Sequence, residues 1–257
     1  MSSNAPSLTC KGCRTPLDFD FSMAFQPIVD VESGEIFAYE ALVRGASGEP
    51  AASVLDRVTP DNRFAFDQAC RVRAVELASK LKIACRLNIN FMPNAVYEPT
   101  QCLRSTLDAA MRTGFPIERI VFETVEDERV LDTEHLKSIL RSYRHHGFQT
   151  AIDDFGAGYS GLNLLAEFQP DLLKIDMALV RGIDAAPARR AIVSGVVSMC
   201  RLLGTRVIAE GVETPAEAQT LRQLGITLMQ GYLFAKPAFE QLPPVSLPSF
   251  PLQTRTA

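Results

Sequence analysis

The sequence predicts an α/β chain folded as a modified TIM-type (β/α)₈ barrel with one antiparallel strand near its N-terminus. Three observations lead there. Apolar helical segments repeatedly end in a glycine and give way to a β-rich run, which implies strands and helices in alternation and hence a parallel sheet. The first two strand-like runs are separated only by Asp30-Val31-Glu32-Ser33-Gly34-Glu35, too little chain for a crossover helix, so they form an antiparallel hairpin. The length of 257 residues is close to the roughly 250 of a single barrel.

Taken in order, residues 1–20 read as an irregular N-terminal arm, residues 21–241 as the barrel domain and residues 242–257 as a Pro-rich extended tail carrying Pro243, Pro244, Pro248 and Pro251. Strands are expected near 23–30, 36–43, 84–90, 119–123, 149–153, 171–175, 206–210 and 227–230. The stops between them are glycines: Gly114, Gly147, Gly204 and Gly225 each precede a strand, where a left-handed residue closes the last helical turn. The starts are Thr59-Pro60 and Thr214-Pro215, a capping hydroxyl before a proline at the first helical position, with Glu217 completing a capping box. Phe66, Cys70, Ala74, Leu77 and Leu81 recur at helical spacing and read as the core-facing stripe of one long helix.

Composition narrows the function. A net charge of −4 argues against DNA binding, which needs a basic face to displace counterions. No stretch approaches the ~18 apolar residues of a membrane span, and the polar N-terminus has no signal-peptide core, so a cytoplasmic protein without membrane partners is expected. Six cysteines in a chain this long read as reduced thiols. Cys10-Lys11-Gly12-Cys13 is a CxxC with no second pair to complete a zinc site, and reads as part of the arm. His135, His145 and His146 fall in one predicted helix outside any HExxH pattern, which excludes zinc hydrolysis of that type.

The strand ends carry the chemistry. Glu40, Asn90, Glu123, Asp153-Asp154, Lys174 and Glu210 each terminate a short apolar run, and a parallel barrel gathers such ends on one face. Carboxylates packed this closely take up protons unless positive charge sits among them. Hard oxygen donors suit Mg²⁺ or Mn²⁺. Neighbouring side chains on a strand point to opposite faces, so Asp153 and Asp154 share one site only where the strand has ended and the chain turns, a turn supplied by Phe155-Gly156-Ala157-Gly158. Glu32, Glu35, Asp127 and Glu128 read as solvated surface groups.

Glu40-Ala41-Leu42-Val43-Arg44 matches the EALxR signature, and other landmarks follow in order: Leu87-Asn88-Ile89-Asn90, Glu123-Thr124-Val125-Glu126, Asp153 to Ser160, Lys174 in Leu172-Leu173-Lys174-Ile175-Asp176, Glu210 and Glu213 in Ala209-Glu210-Gly211-Val212-Glu213, and Gln230-Gly231-Tyr232. From about residue 22 to about 240 the chain resembles the EAL-domain cyclic di-GMP phosphodiesterases. The resemblance implies that Glu40, Asn90, Glu123 and Asp153 hold one cation and that Asp153 bridges to a second held with Asp154 and Glu210. Two such cations, ~4 Å apart, clamp a phosphoryl oxygen and activate water for in-line attack. Lys174 would position that water, Glu210 and Asp153 completing the catalytic set, and the product would be linear pGpG.

By the same resemblance Arg44 grips the non-scissile phosphate, with Gln26, Gln230 and Glu213 at the substrate, and Glu126 anchors the Asp153-Asp154 loop through Ser160. A structural role for Gln26, as a hydrogen-bonder within the barrel, stands beside the substrate role. The resemblance further implies Ca²⁺ inhibition and a homodimer through helices next to that loop. The compact run Gly48 to Leu55 is similar to EAL domains joined to blue-light sensor modules. No sensor lies within these residues, so regulation would come from a partner in trans, from dimerisation or from further chain. A second reading is a receptor that binds cyclic di-GMP without cleaving it, or an interaction module. Such readings go with a missing metal ligand or lysine, and none is missing here.

Overall fold

In a computed structural model, which describes residues 16–125, 133–157 and 161–248, eight strands close on themselves. They are β1 (Phe21–Asp30), β2 (Glu35–Gly45), β3 (Arg86–Phe91), β4 (Ile120–Val125), β5 (Gln149–Phe155), β6 (Leu172–Ile175), β7 (Arg206–Ala209) and β8 (Leu228–Met229). Neighbours from β2 to β8 pair in parallel. β1 closes the ring, antiparallel to β2 on one side and to β8 on the other. The fold class and the reversed strand are as the sequence predicts.

Helices wrap the outside: α1 (Ala52–Leu55), α2 (Arg63–Lys80), α3 (Pro99–Cys102), α4 (Arg104–Thr113), α5 (Thr133–His145), α6 (Gly161–Glu167), α7 (Met177–Val180), α8 (Pro187–Leu203) and α9 (Pro215–Gln223). Gly114 and Gly204 cap α4 and α8 at φ 72° and 75°. Thr214 and Glu217 form the predicted capping box on α9. Phe66, Cys70, Ala74 and Leu77 are buried on α2, while Leu81 lies just past its end and packs on the same core from a half-buried position.

Three expectations shift. Thr59-Pro60 does not start α2: Asn62 does, its side chain accepting the Thr59 N–H at 2.7 Å in a preceding turn, so the capping pair builds that turn instead. A ninth strand, β9 (Ala238–Phe239), pairs with Ala24 and Phe25 of β1 and was not legible as a strand. The tail does not leave the barrel at residue 242: Leu242 and Val245 pack on the core, and Ser246 N–H reaches Phe234 O at 2.9 Å. Phe19 of the arm packs on Phe66, ring centroids 6.1 Å apart. Cys10 and Cys13 lie outside the described residues.

The barrel interior is layered. Ile28, Ala38, Val121, Ala151, Leu172, Ile208 and Leu228 form an apolar floor, and Phe37 joins them with the Arg86 and Arg206 guanidiniums each 4.5 Å from its ring centre. Residues i and i+2 share a face of a strand, so the next inward layer is Glu40, Glu123, Asp153, Lys174, Glu210 and Gln230, with Gln26 contributed by the reversed β1. The polar cup is the second storey of an apolar barrel.

Candidate metal site

The strands place each cup residue, Glu40 and Gln26 from within β2 and β1 and the others at or near the ends of theirs. Glu40 opposes Gln26 across the β1–β2 pair, and Asn90 opposes Glu123 across β3–β4. Glu210 follows β7, its N–H bonded to Ile175 O at 3.1 Å, and Gln230 follows β8, its N–H bonded to Ala209 O at 2.9 Å. Gly231 holds these two exits together: a Cβ there would lie 2.0 Å from Val212 O, a clash with backbone that cannot move aside.

Asp153 and Asp154 reach one site by a device other than the expected one. β5 does not end at Asp153 but runs to Phe155, and its register against β6 slips by one residue between Ile152 and Phe155. The extra residue makes a bulge, with Asp154 in the left-handed region at φ 54°. A bulge re-aims one side chain without breaking the ladder, which is why the following glycines are not what turns the pair.

At the centre, Lys174 is fully buried and its Nζ lies 2.7 Å from Glu210, 3.0 Å from Glu123, 3.1 Å from Asp153 and 3.3 Å from Glu40. Asn90 donates to Glu40 at 2.9 Å, leaving its own amide oxygen as the atom it can offer a cation. Gln230 Nε2 donates to Glu40 at 2.8 Å and to Gln26 Oε1 at 3.2 Å, and Gln26 donates in turn to Ala235 O at 3.1 Å. Asn88, buried, donates to Glu123 at 2.5 Å and was missed by sequence reasoning; the signal was the Leu-Asn-Ile-Asn alternation, which puts Asn88 and Asn90 on one face. Asp67 of α2 was missed as well.

Carboxylate oxygens of Glu40, Glu123 and Asp153 converge within 4.8 Å, and so do those of Asp153, Asp154 and Glu210. Those two groups share Asp153. Counting five carboxylates against the single Lys174 ammonium leaves four negative charges, the charge of two divalent cations. The donors are all oxygens, the type that Mg²⁺ and Mn²⁺ prefer, so the residues fit the group. Without cations the cup must hold protons: burial, with Glu40 and Asp153 adding to it against Lys174, pushes Glu123 up to about 8, and burial likewise raises Glu210.

A group whose protonated form is favoured by folding stabilises at low pH. Glu123 ordinarily titrates at 4.5, so between there and about 8 the folded chain holds a proton that the unfolded chain releases, and stability falls as pH rises through that window. In EDTA the midpoint of thermal unfolding is expected to drop by several degrees from about pH 5 to about pH 8, and saturating Mn²⁺ to abolish the drop. A midpoint independent of pH in EDTA would contradict this.

The cup lies between two cavities that share Leu42, Asp153 and Asp154. One, of about 370 Å³, is lined by Arg44, Asp67, Asn90 and apolar side chains such as Met23 and Phe66. The other, of about 290 Å³, is lined by Gln26, Glu210, Glu213, Gln230 and Tyr232. Arg44 bonds Val43 O at 2.7 Å, and Glu213 is ion-paired with Arg181 at 2.6 Å at the rim. Glu126 and Ser160, the predicted loop anchors, lie outside the described residues.

The family model described as the EAL domain matches residues 17–237. This chain belongs to the EAL domain family. Among curated relatives, the blue light- and temperature-regulated antirepressor BluF of Escherichia coli is 31% identical over 88% of this chain and 56% of its own length. The probable cyclic di-GMP phosphodiesterase PdeG of the same organism is 33% identical over 83% of this chain and 44% of its own. The chain thus spans about half the length of these EAL relatives. A standalone EAL protein of Vibrio cholerae, solved bound to c-di-GMP, is 55% identical with a TM-score of 0.87, covering 90% of this chain and 98% of its own. Klebsiella pneumoniae BlrP1, solved with manganese and cyclic di-GMP, is 35% identical with a TM-score of 0.82, covering 88% and 58%. No helix among the described residues is long and apolar enough to cross a membrane.

Proposed function

We propose that this EAL domain hydrolyses cyclic di-GMP to pGpG with two divalent cations, Mg²⁺ or Mn²⁺. The observation that carries the reading is the convergence of two carboxylate groups through the shared Asp153 around a buried Lys174. Glu40, Asn90, Glu123 and Asp153 would hold one cation, and Asp153, Asp154 and Glu210 the other. When bound, the pair would polarise a phosphoryl oxygen and lower the pKa of water.

The chain's own groups do the rest. Lys174, itself buried, keeps a charged hydrogen-bond donor at the floor of the cup, where it would orient the attacking water and offset charge gathering on the phosphate. Arg44, at the mouth of the larger cavity, offers a fork to the second phosphate. The two cavities on either side of the cup suit the two halves of a cyclic dinucleotide, one nucleotide in each. Gln230 is a wall of the smaller cavity and would meet a base edge there. Gln26, bonded to Gln230 and Ala235, acts on substrate through Gln230, and Glu213 closes the rim with Arg181.

Leu162 of α6 and Met177 of α7, exposed beside the Asp153-Asp154 loop, support a homodimer through those helices. A regulatory partner in trans and a cytoplasmic setting complete the proposal, with Glu126 and Ser160 as loop anchors.

The antirepressor relative favours a second reading, a non-catalytic receptor for cyclic di-GMP or an interaction module. One experiment separates them: incubation of the chain with cyclic di-GMP and Mg²⁺ or Mn²⁺, following pGpG. Accumulation of pGpG, suppressed by Ca²⁺, whose longer bonds fit the tight cup badly, is the expected result. Tight binding with no product would establish the receptor reading instead.

A further inference from the structure

Beside the cup, α2 carries a charged pair that the reaction does not use. Asp67 and Arg71, one turn apart, are ion-paired with side chains 2% and 0% exposed. The guanidinium lies among aromatic rings, its Cζ 5.1 Å from the centre of Phe122, 5.5 Å from Tyr143 and 5.6 Å from Phe91. Apolar residues of the same volume would usually fill such a space at no loss of stability, so the pair calls for another use.

Its second partner points to one. Asp67 Oδ2 faces Arg71, and Oδ1 accepts the backbone N–H of Met92 at 2.9 Å. Met92 is the first residue past β3, two beyond Asn90, and it precedes the 3₁₀ turn Pro93–Ala95. Two of the rings around Arg71 lie on the strands that carry predicted ligands, Phe91 following Asn90 on β3 and Phe122 preceding Glu123 on β4, and the third, Tyr143, comes from α5. The pair therefore braces the backbone on which two predicted ligands of one cation stand, and on which Asn90 keeps its amide against Glu40.

We propose that Asp67 and Arg71 are positioning residues for the Glu40–Asn90–Glu123–Asp153 cation site. Arg71 fixes the carboxylate, the carboxylate clamps the Met92 N–H, and the clamp sets the exit of β3. Partners behind a metal's own ligands commonly govern affinity by about 10- to 100-fold.

Two double variants isolate the clamp from the charge. Asp67→Asn with Arg71→Met removes both charges but keeps a side-chain oxygen for Met92 N–H, whereas Asp67→Leu with Arg71→Met removes the charges and the acceptor. Mn²⁺ affinity by calorimetry and hydrogen exchange of the Met92 amide are the readouts. The Asn–Met variant, which keeps the acceptor but loses the guanidinium that fixes it, is expected to lose only a few-fold in Mn²⁺ affinity, and the Leu–Met variant to bind Mn²⁺ about 10-fold more weakly with clearly faster Met92 exchange.

Equal Mn²⁺ affinity in the two variants would overturn the proposal, since a merely structural pair would affect both alike. Should the Leu–Met variant not fold, Asp67→Ala with Arg71→Met removes the same acceptor with a smaller side chain, and Mn²⁺ affinity equal to that of the Asn–Met variant would overturn it equally. The inference rests on reading the cup as a cation site. A wild type that binds no Mn²⁺ would sink that reading, and Met92 exchange, which needs no metal, would still decide whether the clamp exists.

Discussion

Replacing Lys174 by methionine is expected to lower turnover of cyclic di-GMP by about 10²- to 10³-fold at saturating Mn²⁺, and to destabilise the metal-free protein by about 3–5 kcal/mol. The side chain is fully buried and is the shared cationic partner of Glu40, Glu123, Asp153 and Glu210, all within 3.3 Å. Removing it leaves a cluster of largely buried carboxylates with no counter-charge among them. Methionine is chosen because it keeps the volume of the stem, so the loss reports charge and not a cavity.

The two consequences are separable. Cations supplied in excess replace the missing charge and are expected to restore most of the thermal midpoint, whereas they cannot restore the donor aimed at water and phosphate. Thermal unfolding in EDTA and in Mn²⁺, run beside single-turnover kinetics, distinguishes them. Turnover within a few-fold of wild type would remove Lys174 from the mechanism, and an unchanged midpoint in EDTA would mean that the carboxylates carry protons enough to do without it.

The barrel was legible in the sequence because its grammar is local. Glycines past helices, a capping box at Thr214 and a loop too short for a helix between β1 and β2 each fix one junction, and together they fix the topology. The cup residues were legible because polar side chains at the ends of apolar runs are conspicuous. What was not legible depends on distant partners. β9 is two residues long and exists only because β1 offers it an edge. Asn88 looks like any polar strand residue until Glu123 arrives from β4. Asp67 sits in a helix whose apolar stripe dominates the pattern, and only the packed structure shows its carboxylate holding Met92. The bulge at Asp153-Asp154 was half legible: two adjacent acids in one site demand a departure from strand geometry, but a turn and a bulge satisfy that demand equally on paper, and the pairing with β6 decides.

Asp153 is the residue on which both proposed cation sites would depend, since its carboxylate belongs to each converging group. Asp153→Asn keeps the shape and one oxygen. Its Oδ1 can still accept the Asp154 N–H, now bonded at 2.8 Å, so the bulge and the fold are expected to persist. What is lost is a negative charge and one of the two carboxylate oxygens that Asp153 would offer to the two groups. Calorimetry is therefore expected to show a fall in Mn²⁺ stoichiometry from two toward one, and turnover to drop by about 10³-fold or more, the scale on which losing an electrostatic catalytic element is felt. Binding of cyclic di-GMP should survive in weakened form, because Arg44 and the apolar walls of the larger cavity are untouched. Two ions bound with normal turnover would dismiss Asp153 as the bridge between the two cations. Two ions bound without turnover in the wild type itself would instead leave the metal site standing and transfer the protein to the class of receptors.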